Sequence, residues 1–138
     1  IPKTWEQVCC RTDLNGKKAE GIDYHFRNDV PRGVYKLFTE VYHGKDEYRV
    51  MYFRGWVGIY HKTEENGLWT FNKKPNKGFE KLIKDARKAA EALNIDYVGF
   101  DVLAKNKRSY VFLEANSGAT LTLEASVEIV TFFNNLEG

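Results

Sequence analysis

The chain has 138 residues, 43% of them hydrophobic and 14% aromatic, which is one domain's worth of polypeptide, or two small lobes, with enough apolar side chains for a core. Its net charge of +2 is too small to argue for a nucleic-acid or membrane-surface partner, and the basic residues are interleaved with acids, as across residues 77–87. No apolar run is long enough to span a bilayer and nothing resembles a signal peptide, so the expectation is a soluble cytoplasmic protein.

Residues 5–12 read as a strand leading into a loop around Asn15-Gly16, a dipeptide that also suits a hairpin turn. The two cysteines, Cys9 and Cys10, are adjacent, so on a strand they point to opposite faces and do not bridge each other. With three scattered histidines (His25, His43, His61) they give no zinc spacing, and two buried thiols in a reducing compartment fit better. Residues 23–27 alternate as a second short strand, and Pro31 and Gly33 mark a turn before an extended stretch at 35–41. Residues 47–53 and 56–62 form a β-hairpin across Arg54-Gly55. Residues 64–76 are polar and read as a mobile connection anchored by Trp69 and Phe71.

The period then changes. Phe79, Leu82, Ile83, Ala86, Ala90 and Leu93 recur at helical spacing, with Asn94 as the stop. Two β-rich runs follow, at 98–103 and 111–116, joined through residues 105–109. A last helix spans about 123–136, with Ala125, Ile129, Val130 and Phe133 as its buried side. Strands and helices in this order give an α+β architecture of mainly antiparallel sheet with covering helices.

Chemistry concentrates in GFDVLAKNKRSYVFLEANSGA, residues 99–119. Glu114 and Asn116 stand two apart on a strand and project to one face, and a hairpin brings Asp101 across from them. Three oxygen ligands converging on a sheet face suit a hard cation such as Mg²⁺. A polar residue at every second position is also what a half-exposed antiparallel strand shows.

This stretch resembles the closing motif of the ATP-grasp ligases, in which an Asp, a Glu and an Asn hold Mg²⁺ against nucleotide phosphates. Carried over, these are Asp101, Glu114 and Asn116. The Pro-Gly that often follows the Asn is replaced by Ser117-Gly118-Ala119. Upstream, VCCRTDLNGKKAEGI resembles the strand and glycine-rich loop of the family's nucleotide lid, with Arg11 in the cationic position and Gly16 and Gly21 where the backbone approaches phosphate. The family's middle glycine is replaced by Lys18 or Ala19. Residues 35–63 resemble the hinge and following hairpin. The resemblance implies that Glu40, Val41 and Tyr42 seat adenine, that Glu47 meets the ribose, and that the cations Arg49 and Lys62 face the transferring group as catalytic residues.

The resemblance implies a lid subdomain at 1–42 and a metal-bearing core subdomain at 43–138, in an ATP- and Mg²⁺-dependent carboxylate–amine (or thiol) ligase acting through an acyl-phosphate. The glutathione synthetase and ribosomal-protein glutamate ligase branches are the nearer ones. Such enzymes carry a further N-terminal substrate lobe, and no residues before Val8 supply it. The expectation is therefore a C-terminal nucleotide-binding part, acting on a small-molecule or peptide carboxylate, with a partner chain or a second copy replacing the lobe. The alternative is a non-catalytic module of the same fold that binds nucleotide or protein. A different reading takes Tyr48, Tyr52, Trp56 and Tyr60, interleaved with Arg49, Arg54 and Lys62, as a surface for stacking bases, although cross-strand packing in a hairpin explains the same pattern.

Overall fold

A computed structural model describes residues 1–12 and 21–137. The loop glycine Gly16 and its neighbours Lys18 and Ala19 lie outside the described residues. The chain divides into two compact units, Ile1–His43 and Gly44–Gly138.

The first unit is a three-stranded antiparallel sheet of β1 (Gln7–Arg11), β2 (Ile22–Phe26) and β3 (Leu37–Glu40), in the order β2-β1-β3. Alternation along β1 buries Val8 and Cys10 completely on one face. Cys9 points the other way and is only half-buried, so one of the two expected buried thiols is in fact at the surface of the sheet; both are free. Burial pushes the Cys10 thiol upward, with Cys9 and Asp23 adding to the shift.

The second unit is a five-stranded antiparallel sheet, β6-β5-β4-β7-β8, with two helices. Its elements in chain order are β4 (Asp46–Phe53), β5 (Trp56–Glu65), β6 (Leu68–Lys74), α1 (Glu80–Leu93), β7 (Tyr97–Ala104), β8 (Tyr110–Asn116) and α2 (Leu123–Glu137). The β4–β5 turn is the expected one at Arg54-Gly55, where both residues take positive φ (44° and 95°), matching the twist of a tight hairpin. The connection expected at 64–76 is instead the second half of another hairpin. Asn66 and Gly67 again both take positive φ (52° and 78°), and the run Leu68, Trp69, Thr70, Phe71 continues as β6. The reason is turn chemistry: Asn-Gly accepts the left-handed conformation that two-residue hairpins require.

Each face of this sheet has its own cover. Tyr48, Val50, Tyr52, Val57, Ile59, Val98, Phe100 and Val102 form the floor beneath Leu82, Ile83, Ala86 and Ala90 of α1. Asn94 closes α1 in the left-handed conformation, its backbone N–H reaching the carbonyls of Ala90 and Glu91. On the opposite face Met51, Trp56 and Tyr60 lie beneath Ala119 and the α2 residues Ala125 and Ile129. Val130, expected on the buried side of α2, is 58% exposed, while Phe132 and Phe133 pack inward. Thr122 caps α2, its Oγ1 accepting the backbone N–H of Ala125 at 3.1 Å. Tyr48, Tyr52, Trp56 and Tyr60 are all core residues, at most 9% exposed, so they offer no stacking platform for bases. No described helix is long and apolar enough to cross a membrane.

Candidate functional site

The α2 face of the second sheet carries the polar residues that the sequence singles out. Cross-strand partners share a face in an antiparallel ladder. The pairs Glu47–Lys62, Arg49–Tyr60, Arg49–Asp101, Asp101–Glu114 and Gly99–Asn116 therefore place Glu47, Arg49, Lys62, Asp101, Glu114 and Asn116 on one side of β5, β4, β7 and β8. α1 covers the other side.

Arg49 is the best-held of these. Its Nε donates to Asp101 Oδ1 at 2.6 Å, and its guanidinium lies over the Phe71 ring, 5.2 Å from the centroid. Both partners of the ion pair are partly buried, with side chains 18% and 27% exposed. Lys62 pairs with Glu47 at 3.2 Å and lies 4.3 Å from the centroid of the exposed Trp69 ring. The Glu47 proposed for ribose and the Lys62 proposed for catalysis are thus each other's partners across β4 and β5. Asn116 Oδ1 accepts the backbone N–H of Gly118 at 2.9 Å, turning the chain sharply after β8. Tyr97 donates its hydroxyl to the carbonyl of Ala119, which pins the following segment over β7.

Asp101, Glu114 and Asn116 are hard oxygen donors of the type Mg²⁺ takes. Asp101 is occupied with Arg49, and among the described residues no cluster of three or more His, Cys, Asp or Glu side chains is close enough to hold a metal. The donor set fits the ion in chemistry, and Asp101 would have to serve the ion and Arg49 together.

In the first unit, Arg11 ends β1, opposite Ile22 and Leu37. Gly21 has φ 67°, the conformation glycine tolerates best, and its carbonyl accepts the N–H of Thr12 at 3.0 Å. Of the hinge residues, Glu40 ends β3, and the Val41 N–H is used within the sheet by the Gln7 carbonyl at 3.1 Å. Tyr42 lies two residues beyond the end of β3.

Three residues of this face escape a motif-based reading. Phe71 stacks on Arg49, Gly99 gives the room beneath Ala119, and Tyr60 neighbours Arg49 across the ladder. A Cβ on Gly99 would lie 2.6 Å from that of Ala119 and 3.2 Å from both Met51 Sδ and Arg49 Cδ. The signal for Tyr60 is its i, i+2 spacing to Lys62 on one strand.

No family model and no curated protein matches the chain. Solved structures do. The ATP-grasp ligase PsnB complexed with minimal precursor, Mg and ADP aligns at TM-score 0.60 and 16% identity, over 83% of this chain and 39% of its own. PsnB complexed with precursor peptide PsnA2 and AMPPNP aligns at TM-score 0.60 and 17% identity, with the same coverage. PsnB with minimal precursor alone aligns at TM-score 0.61 and 16% identity, over 83% and 40%. The chain thus spans about two fifths of the length of the structures it matches. Its two antiparallel sheets and two helices are an α+β arrangement with an ATP-grasp-like fold.

Proposed function

We propose that this chain is a nucleotide-binding portion of an ATP- and Mg²⁺-dependent ligase that joins a carboxylate to an amine or thiol through an acyl-phosphate. The observation that carries the reading is that Arg49, Asp101, Glu114 and Asn116 share the α2-side face of the second sheet, in a fold shared with an ATP-grasp ligase. The solved PsnB complexes contain Mg with ADP, AMPPNP and precursor peptides, which supports a nucleotide, Mg²⁺ and a peptide carboxylate as what this chain takes.

Asp101, Glu114 and Asn116 are the proposed metal ligands, and bound Mg²⁺ would neutralise phosphate charge. Arg49 is fixed by Asp101 on one side and Phe71 on the other, so it presents cationic N–H groups without having to reorganise. Lys62 adds a second cation on the same face. In the first unit Arg11 is the proposed phosphate contact. The reaction asks for no nucleophilic side chain: positioning and fixed charge do the work while the γ-phosphoryl passes to the carboxylate oxygen and the incoming amine later expels phosphate.

Calorimetric titration of AMPPNP into the chain, with and without Mg²⁺, tests this. Mg²⁺-dependent binding that is lost in Glu114→Gln is the expected result. Binding of equal strength in the variant would overturn the metal assignment. No binding at millimolar nucleotide, with or without Mg²⁺, would overturn the nucleotide-binding reading itself.

A further inference from the structure

The Tyr60 hydroxyl is fully buried and has no hydrogen-bond partner, in a residue only 1% exposed. Buried polar groups almost always find a partner, so such a group needs an explanation. Tyr60 lines a narrow cleft between the sheet and the segment entering α2, together with Arg49, Phe71, Thr120 and Thr122. The cleft has room for about one oxygen-sized group.

Three of the groups lining it have donor capacity to spare: the Arg49 guanidinium, the Tyr60 hydroxyl and the Thr122 hydroxyl. Arg49 uses Nε for Asp101, and among the described residues its Nη groups make no hydrogen bond. Thr122 accepts the Ala125 N–H through Oγ1, leaving its hydroxyl proton to donate, and it caps the positive end of the 15-residue helix α2. Thr122 and Tyr60 line the cleft together, and no hydrogen bond joins their hydroxyls. Burial first, then Glu128 and Glu124 of α2, push the Tyr60 hydroxyl upward and keep it a proton donor, and Lys73 pairs with Glu128 at 2.6 Å while sitting 5.0 Å from the Tyr60 ring centroid. A guanidinium, a phenol, a free hydroxyl proton and a helix N-terminus share one polarity.

We infer that this cleft binds one oxygen of an oxyanion, a carboxylate or a phosphate, and that the Tyr60 hydroxyl donates the hydrogen bond that holds it beside Arg49. The inference deepens the ligase reading, on which it rests only for the source of the oxyanion: the carboxylate substrate or the transferring phosphoryl group. A neutral ligand oxygen would leave Arg49 without a counter-charge on this side, and an apolar group would leave the phenol unpaired.

Tyr60→Phe removes one oxygen atom and nothing else from the core. Thermal unfolding of wild type and variant, titrated with sodium acetate and with sodium phosphate at constant ionic strength, reads the cleft directly. Without added anion the variant is expected to be at least as stable as wild type, because a buried unpaired hydroxyl is removed. Wild type is expected to show saturable stabilisation by an anion, with the variant at least about tenfold weaker, as for loss of a hydrogen bond to a charged group. A response to acetate identifies the carboxylate as source, and a response to phosphate identifies the phosphoryl group. Equal responses of variant and wild type, or no stabilisation of wild type by either anion, would overturn the inference. Loss of Mg²⁺-dependent AMPPNP binding in Glu114→Gln is read separately, so the nucleotide reading and the Tyr60 assignment can fail one without the other.

Discussion

Glu114 stands opposite Asp101 because Leu113 is bulged out of the β7–β8 ladder. Val102 pairs with Phe112 on the α1 side, and the next pair is Asp101 with Glu114, so two residues of β8 face one of β7. Without the extra residue Glu114 would fall on the α1 side with Phe112, away from Asp101 and Arg49. The bulge thus reconciles a packed aromatic with a polar face on one short strand.

That register predicts unequal costs for adjacent residues. Phe112 meets Phe100 edge-on at 5.2 Å between centroids and packs on the α1 core, whereas Leu113 is 56% exposed. Phe112→Ala is expected to cost about 2–4 kcal/mol in urea unfolding, and Leu113→Ser less than about 0.5 kcal/mol. The reverse order would place β8 one residue out of register.

The Arg49–Asp101 pair predicts a coupling. Both side chains keep some solvent contact, so Asp101→Asn is expected to destabilise the second unit by about 1–2 kcal/mol, below the cost of breaking a fully buried pair. In a cycle with Arg49→Met, unfolding free energies should be non-additive by about 1 kcal/mol. Additive losses would mean that Phe71 alone holds the guanidinium.

Much of this was legible in the chain. The helix at 79–93 followed from Leu82, Ile83, Ala86 and Ala90 at 3.6-residue spacing, because one periodic stripe decides such an element, and the Arg54-Gly55 hairpin was equally plain. What was not legible depends on tertiary geometry. Leu113 and Phe112 are both apolar, so alternation cannot show which one leaves the ladder. Val130 sits in an apolar helix whose hydrophobic side wraps too widely for sequence to rank its members. The interleaving of Tyr60 with Arg49 and Lys62 fits a stacking surface and a packed hairpin equally well, and it is Ala119, Ala125 and Ile129, distant in sequence, that bury it. The β5–β6 hairpin is hidden in sequence because residues 64–76 are polar overall, and the polarity masks the Asn66-Gly67 turn signal.

Asp85 predicts a pH dependence. Tyr110 donates its hydroxyl to Asp85, and Lys81 adds a second hydrogen bond at 3.0 Å, tying α1 to β8. The Tyr110 bond first, and Lys81 second, hold the Asp85 carboxyl below its ordinary value. A carboxyl that titrates lower in the folded chain than in the unfolded one adds stability above its unfolded pKa, and this is lost as pH falls through the folded value. Asp85→Asn should therefore be less stable than wild type at pH 7, by about 0.5–1 kcal/mol given its partial exposure, with the gap closing as the pH falls below the ordinary carboxylate range. Urea midpoints at pH 7 and in acid check this; a gap that widens in acid would reverse the assignment.

Gly99 ties the fold to the proposed site. Its backbone is not left-handed, so the demand for glycine is one of space: an added Cβ would meet Ala119 Cβ at 2.6 Å, with Arg49 and Met51 on its other sides. Ala119 begins the strap that carries Thr120 and Thr122 over Tyr60, and Tyr97 holds that strap through the Ala119 carbonyl. Gly99→Ala must lift the strap or tilt Arg49, and overpacking of this kind costs about 1–3 kcal/mol. Both responses widen the cleft, so the variant should also bind Mg²⁺–AMPPNP and the stabilising anion more weakly than wild type, whereas Gly55→Ala at the distant hairpin turn, with open space around its Cβ, should cost about 1 kcal/mol and leave binding alone. Thermal melts of the two variants run beside their calorimetric titrations separate the effects. A Gly99→Ala protein that melts early yet binds normally would show that the strap over Tyr60 serves stability only.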